Sequence, residues 1–443
     1  MKRILIFSFI TFFLYAGMRA QSVGIDEVLH RIEANNKELQ ANAQLITSQK
    51  LENKSENNLP DPTLSYAHLW GSEDKSETIG ELVVSQSFDF PTLYATRGKV
   101  NRLKTGALDA QSAAFRQQLL LQAKELCFDI IMLQHQQVIL NERMKQAEEL
   151  SAYYKKRLET GDANVLETNK INLELLNVRT EFRTNQTALD NAWKSLFALN
   201  GDQSLQDNEL SSFRSINDYP LPLLPTDYEQ LRSEVLAADQ TLLSLSSESA
   251  AARKQISASK QGWLPKLELG YRRNTESGTP FNGVVVGFSF PLFENRNKVK
   301  IAKAQSLNLD YQKENAAFQA EATLAKLYSE AQSLQTSIQE YREAFSSQQD
   351  LALLKQALTG GQISVIEYFV EVSVIYQSKQ NLLQLENQYQ KVMAQKSKDE
   401  ARQKHISELY YYWYYFYQIR SLTLWDFERN CELEADFEEI VRD

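Results

Sequence analysis

The longest regular pattern of apolar positions in the chain covers residues 96–158. This segment contains no proline, and its two glycines, Gly98 and Gly106, fall near its start. A heptad pattern of apolar residues is typical of a coiled coil, and at roughly 1.5 Å per residue such a helix would be about 90 Å long. The pattern therefore predicts one helix too long to wrap inside a compact domain. The seven-residue step joins Leu119, Leu126, Leu133, Leu140, Ala147 and Tyr154.

A second heptad pattern follows the sequence Thr160-Gly161-Asp162, where the chain is expected to reverse. Glycine permits a tight reversal because it adopts positive φ without a steric penalty. The new helix is predicted over residues 163–199, and the two helices are predicted to pack antiparallel from a shared tip. Its apolar line consists of Leu175, Phe182, Leu189 and Leu196.

Two shorter segments alternate between apolar and polar positions, which predicts strands with one apolar face. A helix predicted over residues 25–58 precedes them, and a charged connection over residues 71–78 separates them. In the first strand the apolar positions are Leu64, Tyr66 and Trp70, which alternate with Thr63, Ser65 and Ala67. In the second, Leu82, Val84, Phe88 and Phe90 alternate with Glu81, Val83, Ser85, Ser87 and Asp89.

The second half of the chain repeats the landmarks of the first in the same order. This indicates an internal duplication, with a signal segment at residues 1–20, a first repeat with its linker at 21–225, a second repeat at 226–395 and an atypical tail at 396–443. The matching sequences are Leu59-Pro60 and Leu264-Pro265, Phe88-Asp89-Phe90-Pro91 and Phe288-Ser289-Phe290-Pro291, and Gly161 with Val165-Leu166-Glu167 and Gly361 with Val365-Ile366-Glu367.

The first residues of the chain predict export. Lys2 and Arg3 precede an apolar run that ends near Gly17, and Ala20 offers a small residue for cleavage, as in a secretory signal peptide. The alternative is a membrane anchor, but the run is too short to span a bilayer core of about 30 Å. Insertion of the exported chain in a membrane would then depend on its strands.

The second half contains two further alternating segments, so four strands are predicted. Leu267, Leu269 and Tyr271 alternate with Glu268, Gly270 and Arg272, and Val284, Val286, Phe288 and Phe290 alternate with Val285, Gly287 and Ser289.

The four predicted strands fit a transmembrane barrel, because each alternates and aromatic residues lie near the strand ends. Alternation alone fits a half-buried sheet packed on helices equally well. Four strands cannot close a barrel, which needs about eight, so copies of the chain would have to join. Three copies would supply about twelve strands. The aromatic residues are Trp70, Tyr94, Trp263 and Phe293.

Composition and candidate chemistry exclude several classes of function. The net charge of −9 argues against a nucleic-acid partner. The two cysteines, Cys127 and Cys431, are predicted to be free thiols. No catalytic motif, cofactor-binding motif or metal-ligand spacing is present, so we expect no enzyme, no cofactor and no metal site. The four histidines are scattered along the chain: His30, His68, His135 and His405.

Taken together, the duplicated halves, the Leu-Pro and Phe-x-Phe-Pro boundaries and the glycine tips resemble the TolC-type outer-membrane efflux family over about residues 25–395. The resemblance implies a mainly α fold with a small β part. Long antiparallel coiled-coil helices would form a helical barrel, and four strands per chain would contribute to a trimeric transmembrane β-barrel. The tail departs from the family in its aromatic run at residues 410–417 and its acidic end.

The function implied is a passive homotrimeric channel in the outer membrane of a Gram-negative bacterium, with a periplasmic helical extension. It would be the exit duct of a tripartite efflux or type I secretion system for small molecules, metal cations or polypeptides. Its partners would be a periplasmic adaptor (membrane fusion) protein, an inner-membrane transporter and outer-membrane lipid. The alternative is a periplasmic coiled-coil adaptor or scaffold protein without a membrane barrel.

The resemblance also implies roles for individual residues. Glu367 and Glu371, four apart on one helix face, would line a periplasmic gate, and Glu167 would pair across it. In three copies these carboxylates would form a ring whose like charges raise its pKa and attract cations. They would equally fit solvated carboxylates on a coiled-coil flank. The adaptor would dock on the helical tips, Thr160, Gly161 and Asp162 in the first repeat and Thr359, Gly360 and Gly361 in the second.

Overall fold

The computed structural model describes residues 23–71, 78–201, 216–220, 224–276, 278–346 and 350–397. The predicted signal segment lies outside the described residues. So do Cys431, His405 and the predicted tail beyond residue 397, together with most of the charged connection and of the linker between the repeats.

The helices and strands follow the predicted order in both repeats. The first repeat contains α1 (Val23–Asn35), α2 (Lys37–Ser55), β1 (Thr63–Trp70), β2 (Thr78–Phe88), α3 (Pro91–Glu159) and α4 (Val165–Leu199). The second contains α5 (Tyr228–Ala238), α6 (Gln240–Gln261), β3 (Lys266–Glu276), β4 (Thr279–Ser289), α7 (Lys298–Ser346), α8 (Asp350–Thr359) and α9 (Val365–Ser397).

The four strands form one antiparallel sheet in the order β1-β2-β3-β4. Its register places Leu64 beside Val84, Val84 beside Tyr271 and Tyr271 beside Val284. These four side chains form a row across one face, and all are exposed, Val284 to 80%. The predicted alternation is therefore confirmed, because the apolar positions of all four strands share one open face.

The other face of the sheet is mixed and carries charged side chains. Arg272 on β3 forms an ion pair of 2.9 Å with Glu81 on β2. Gly270 lies so close to the facing strand that an added Cβ would come within 2.7 Å of the carbonyl oxygen of Val84. The two faces thus differ in chemistry as the sequence predicts, with charged side chains opposite the apolar row.

The helices attached to the strands repeat the order of the sheet. In the chain, α2 leads into β1, β2 leads into α3, α6 leads into β3 and β4 leads into α7. Correspondingly, α2 packs on α3, α3 on α6 and α6 on α7. The sheet therefore continues into a helical layer, with α2 and α7 at the two ends of the order.

The longest helix exceeds the prediction at its start. It contains 69 residues, about 100 Å at 1.5 Å per residue, and begins at Pro91, which occupies the first helical turn. Most of its heptad line is buried as expected: Leu119, Leu140, Ala147 and Tyr154. Cys127, on the same helix, is a buried free thiol, and burial raises its pKa to about 12.

The prediction of a single helix over residues 25–58 is wrong, because the chain forms two helices that meet at Asn36. The backbone of Asn36 is extended, and its side chain accepts a hydrogen bond from the Leu39 amide as the N-cap of α2. Its side-chain nitrogen donates to the carbonyl oxygen of Leu199 at 2.7 Å. This long-range bond favours the interruption, which no local breaker in the sequence indicates.

The boundary before the second long helix also differs from the prediction. In the first repeat α3 begins directly at Pro91, whereas α7 begins at Lys298, seven residues beyond Pro291. The Leu292 amide donates to the carbonyl oxygen of Phe290 at 2.9 Å, which makes a turn centred on Pro291. Asn297 then has a φ of 68°. Residues 291–297 therefore form a compact linker instead of a first helical turn.

Candidate functional site: the helical tips

Both helical tips end in the same hydrogen-bonded motif. In the first, the Gly161 amide donates to the Leu158 carbonyl at 3.2 Å and the Asp162 amide to the Arg157 carbonyl at 2.7 Å. Gly161 has a φ of 79°. This pattern is a Schellman motif, in which a left-handed residue ends the helix and satisfies its last carbonyls.

The second tip reproduces the motif. The Gly361 amide donates to Leu358 at 3.1 Å and the Gln362 amide to Ala357 at 2.9 Å, with Gly361 at a φ of 71°. The structural counterpart of Thr160-Gly161-Asp162 is therefore Gly360-Gly361-Gln362. Thr359, which the resemblance placed at this tip, is the last residue of α8 and corresponds to Glu159.

Each helix that leaves a tip begins with a capping box. Before α4, the Asn164 side chain accepts from the Leu166 amide at 3.0 Å, and the Asn164 amide donates to the Glu167 carboxylate at 3.1 Å. Before α9, the Ser364 hydroxyl accepts from the Glu367 amide at 3.2 Å, and the Ser364 amide donates to the Glu367 carboxylate at 2.7 Å. The spacing Asn-x-x-Glu and Ser-x-x-Glu carries this signal in the sequence.

The two gate carboxylates predicted on α9 are both exposed on that helix. Hydrogen bonds from the backbone and side chain of Ser364 hold the pKa of Glu367 below its usual value. In the single chain, then, Glu367 is an ionised cap of its own helix, while Glu371 lies one turn further on. The rise in pKa predicted for a ring of three copies stays a prediction.

A cluster of apolar side chains brings the two tips together. It joins α3 and α4 to α8 and α9, so both tips lie at the same end of the described chain. An exposed ion pair of 2.7 Å between Lys355 and Glu149 crosses the same boundary. The buried members are Leu150, Tyr154, Ile171, Leu358, Val365, Tyr368, Val372 and Tyr376.

Arg143 adds a polar contact between the two helical hairpins. Its side chain is only 13% exposed, donates to Glu174 at 3.0 Å and to Glu181 at 2.9 Å, and lies over the ring of Tyr376. The Tyr376 hydroxyl donates to Gln146 at 3.0 Å. This group could not be predicted from the sequence, because no local spacing links residues of α3, α4 and α9.

Within the described ranges, no group of three His, Cys, Asp or Glu side chains is placed to hold a metal ion. His30 and His68 are exposed, and His135 contacts the carbonyl oxygen of Asn217 in the linker at 3.1 Å. None of the described helices is long and apolar enough to cross a membrane.

Replacing Gly161 with alanine is expected to destabilise the tip by about 1–2 kcal/mol, because an L-residue is strained at positive φ. No atom lies within 4 Å of the added Cβ, so the cost would come from the backbone alone. The matched control is Gly98→Ala, inside α3 and also without a neighbour, which should stabilise the helix by about 0.5–1 kcal/mol. Hydrogen exchange checks both, at the tip amides for Gly161→Ala and at the amides around residue 98 for the control, and equal exchange of the tip amides in the two variants would contradict the assignment.

Comparisons with known proteins agree with this architecture. Residues 231–395 match the family model of the outer membrane efflux protein, nearly the whole second repeat. A search of the curated proteins finds no match. Several solved structures are similar, each over 85% of this chain.

A membrane protein from Pseudomonas aeruginosa is 15% identical, has a TM-score of 0.73 and is covered over 90% of its length. The outer membrane protein VceC of Vibrio cholerae is 15% identical, with a TM-score of 0.69 and 95% coverage. The MtrE outer membrane channel of Neisseria gonorrhoeae is 14% identical, with a TM-score of 0.69 and 88% coverage. At this identity the structures show a shared fold. The second repeat therefore matches the outer membrane efflux protein family over residues 231–395, and the described chain shares the fold of these solved membrane proteins.

Proposed function

We propose that the protein is a passive homotrimeric channel, the outer-membrane exit duct of a tripartite efflux or type I secretion system. The observation that carries the proposal is the sheet, in which all four strands place exposed apolar side chains on the same face. Such a face suits contact with lipid, and the polar face opposite it suits a water-filled lumen. A periplasmic adaptor or scaffold without a barrel would have no use for an apolar face across all four strands.

The two ends of the chain's layer support assembly with further copies. The sheet ends at β1 and β4, and open strand edges are not tolerated in lipid. The end helices carry exposed apolar side chains, Leu45 and Leu51 on α2 and Tyr311 and Phe318 on α7. Since the two ends differ in sequence, contact between them would be head-to-tail, and a ring results when the rotation from copy to copy closes. Three copies of four strands give twelve, an even number as in bacterial barrels.

The tips would serve as the docking end for a periplasmic adaptor protein, itself bound to an inner-membrane transporter. Both tips lie at one end of the chain and share one motif, so three copies would present six similar knobs. Exposed apolar side chains flank them, Leu166, Leu173 and Leu176 on α4 and Ile366, Val370 and Val374 on α9. The cargo would be small molecules, metal cations or polypeptides, and Glu167, Glu367 and Glu371 would line the gate.

Mass measurement by light scattering, corrected for bound detergent, tests the trimer. Protein extracted from outer membranes in mild detergent should have the mass of three copies. The double variant Tyr311→Asp/Phe318→Asp should dissociate, because each buried aromatic side chain contributes about 1.5–3 kcal/mol and an unpaired charge costs more. The matched control is Gln312→Asp/Gln319→Asp, whose exposed positions are their direct neighbours on α7. A soluble wild-type monomer or dimer would overturn the proposal.

A further inference from the structure

The two repeats differ at the junction between sheet and long helix. In the first repeat Leu93, two residues beyond Pro91, is 5% exposed inside the first turn of α3. Its counterpart Phe293, two residues beyond Pro291, is 86% exposed in the linker before α7. The same position thus belongs to the core in one repeat and projects outward in the other.

The linker is held in place and is not a loose loop. The buried Asn295 donates its side-chain nitrogen to the carbonyl oxygen of Gly262, the residue after α6. Two backbone bonds close the turns on either side, from Arg296 to Phe293 at 3.2 Å and from Lys298 to Asn295 at 3.3 Å. A fixed turn that presents large apolar side chains has a hydration cost, so an apolar environment that covers them would stabilise it.

The exposed apolar patch continues the apolar face of the sheet. Phe288 on β4 is 61% exposed on that face, and Phe290 follows it with the same alternation. Four large exposed side chains lie in the segments that join the sheet to the helices: Trp263, Phe290, Leu292 and Phe293. We call this set the junction patch.

Basic side chains adjoin the junction patch. Glu294 forms ion pairs with Lys266 at 3.0 Å and with Lys298 at 3.5 Å. Two further basic residues follow Glu294 in the sequence. Arg296 and Lys300 are exposed, and among the described residues neither takes part in an ion pair. The macrodipole does not favour cations at the start of α7, which has no acidic residue in its first turn. Helix stability therefore does not account for these charges.

We propose that residues 290–300 form an anionic-phospholipid site at the periplasmic boundary of the membrane. The junction patch would lie among the acyl chains, and Arg296 and Lys300 would bind the lipid phosphates at the headgroup level. Charge complementarity and continuity with the apolar face support lipid as the occupant. The inference rests on the proposed membrane barrel. Because the first repeat lacks the linker, each copy would carry one such site.

Trp263 reports on this site, since it belongs to the patch and follows Gly262. The test uses the full chain with Trp263 as its only tryptophan, the other four being replaced by phenylalanine, reconstituted in phosphatidylcholine vesicles. A small fraction of the lipid, either phosphatidylglycerol or phosphatidylcholine, carries bromine on its acyl chains and quenches nearby tryptophan. Each basic side chain near the surface is expected to enrich anionic lipid about five-fold, so brominated phosphatidylglycerol should quench more.

The variant Arg296→Gln/Lys300→Gln should remove the preference for phosphatidylglycerol. Its matched control, Lys155→Gln/Lys156→Gln, takes two exposed charges from the far end of α3 and should retain the preference. Equal quenching by the two lipids in the parent protein would overturn the site while the membrane barrel stands.

A second chain that retains only Trp70, on the apolar face of β1, reports on insertion itself. If Trp70 is quenched and Trp263 is not, a neighbouring copy covers the junction patch and the lipid site is wrong. If neither tryptophan is quenched, the strands do not contact lipid, and the result contradicts both the membrane barrel and the lipid site.

Discussion

Val286→Arg is expected to deplete the protein from the outer membrane, whereas Val285→Arg is expected to leave it there. Val286 lies opposite Leu269 on the apolar face of the sheet, and Val285 lies opposite Gly270 on the polar face. An arginine that faces lipid near the bilayer midplane costs about 2–4 kcal/mol, while one that faces a lumen stays hydrated. In three copies the cost is incurred three times around one barrel.

The measurement is the amount of each variant in purified outer membranes relative to the soluble periplasmic fraction. Val286→Leu serves as the control for the loss of the valine itself and should behave like the parent protein. If both arginine variants insert equally, the two faces of the sheet meet the same environment. That result would contradict the membrane barrel and favour an ordinary packed sheet, as in a scaffold protein.

The strand faces could be predicted from the sequence because a strand has a period of two. Leu64, Val84, Tyr271 and Val284 each belong to the alternate positions that are apolar in their own strand. Antiparallel pairing in the observed register then places them side by side. The tips were predictable for a similar reason, since glycine at a helix end carries its own conformational signal. A local pattern that has a fixed period, or that requires a particular φ, can thus be predicted from the sequence without knowledge of the fold.

Features that depend on distant residues could not be predicted in this way. The interruption at Asn36 is favoured by a bond to the Leu199 carbonyl, and the linker before α7 by a bond from Asn295 to Gly262. Arg143 meets carboxylates of α4 and the Tyr376 ring of α9 only after the hairpins pack. In each case the partner lies far away in the sequence, where spacing carries no information.

The structure changes how the gate hypothesis must be tested. Glu367 has a role in one chain, as the carboxylate of a capping box, and Glu371 has no such hydrogen bond to the start of α9. Replacing Glu367 with alanine would remove the cap and the charge together. Glutamine keeps a side chain that can accept from the Ser364 amide, so Glu367→Gln removes the charge alone.

The two roles of Glu367 also differ in their dependence on pH. Its pKa in the folded single chain lies below the usual value of 4.5, so the contribution of the cap is fully present above pH 4.5. That contribution is lost as the pH falls through the lower folded value. A ring of carboxylates would instead raise the pKa, and its effect on cations would fade already above pH 4.5.

Glu367→Gln/Glu371→Gln is therefore expected to weaken divalent-cation block of single-channel current at least about tenfold, or about 1.4 kcal/mol, because the carboxylate ring would be gone. The conductance of the resting channel should rise, because cations bound to the carboxylate ring would no longer obstruct the constriction. The matched control removes two exposed carboxylates from α7, Glu314→Gln/Glu340→Gln, and should leave the block unchanged. Glu367→Ala alone should in addition speed hydrogen exchange at the start of α9. If the glutamine pair keeps the parent's block and conductance while Glu367→Ala still loosens the helix start, Glu367 is a cap and the gate lies elsewhere.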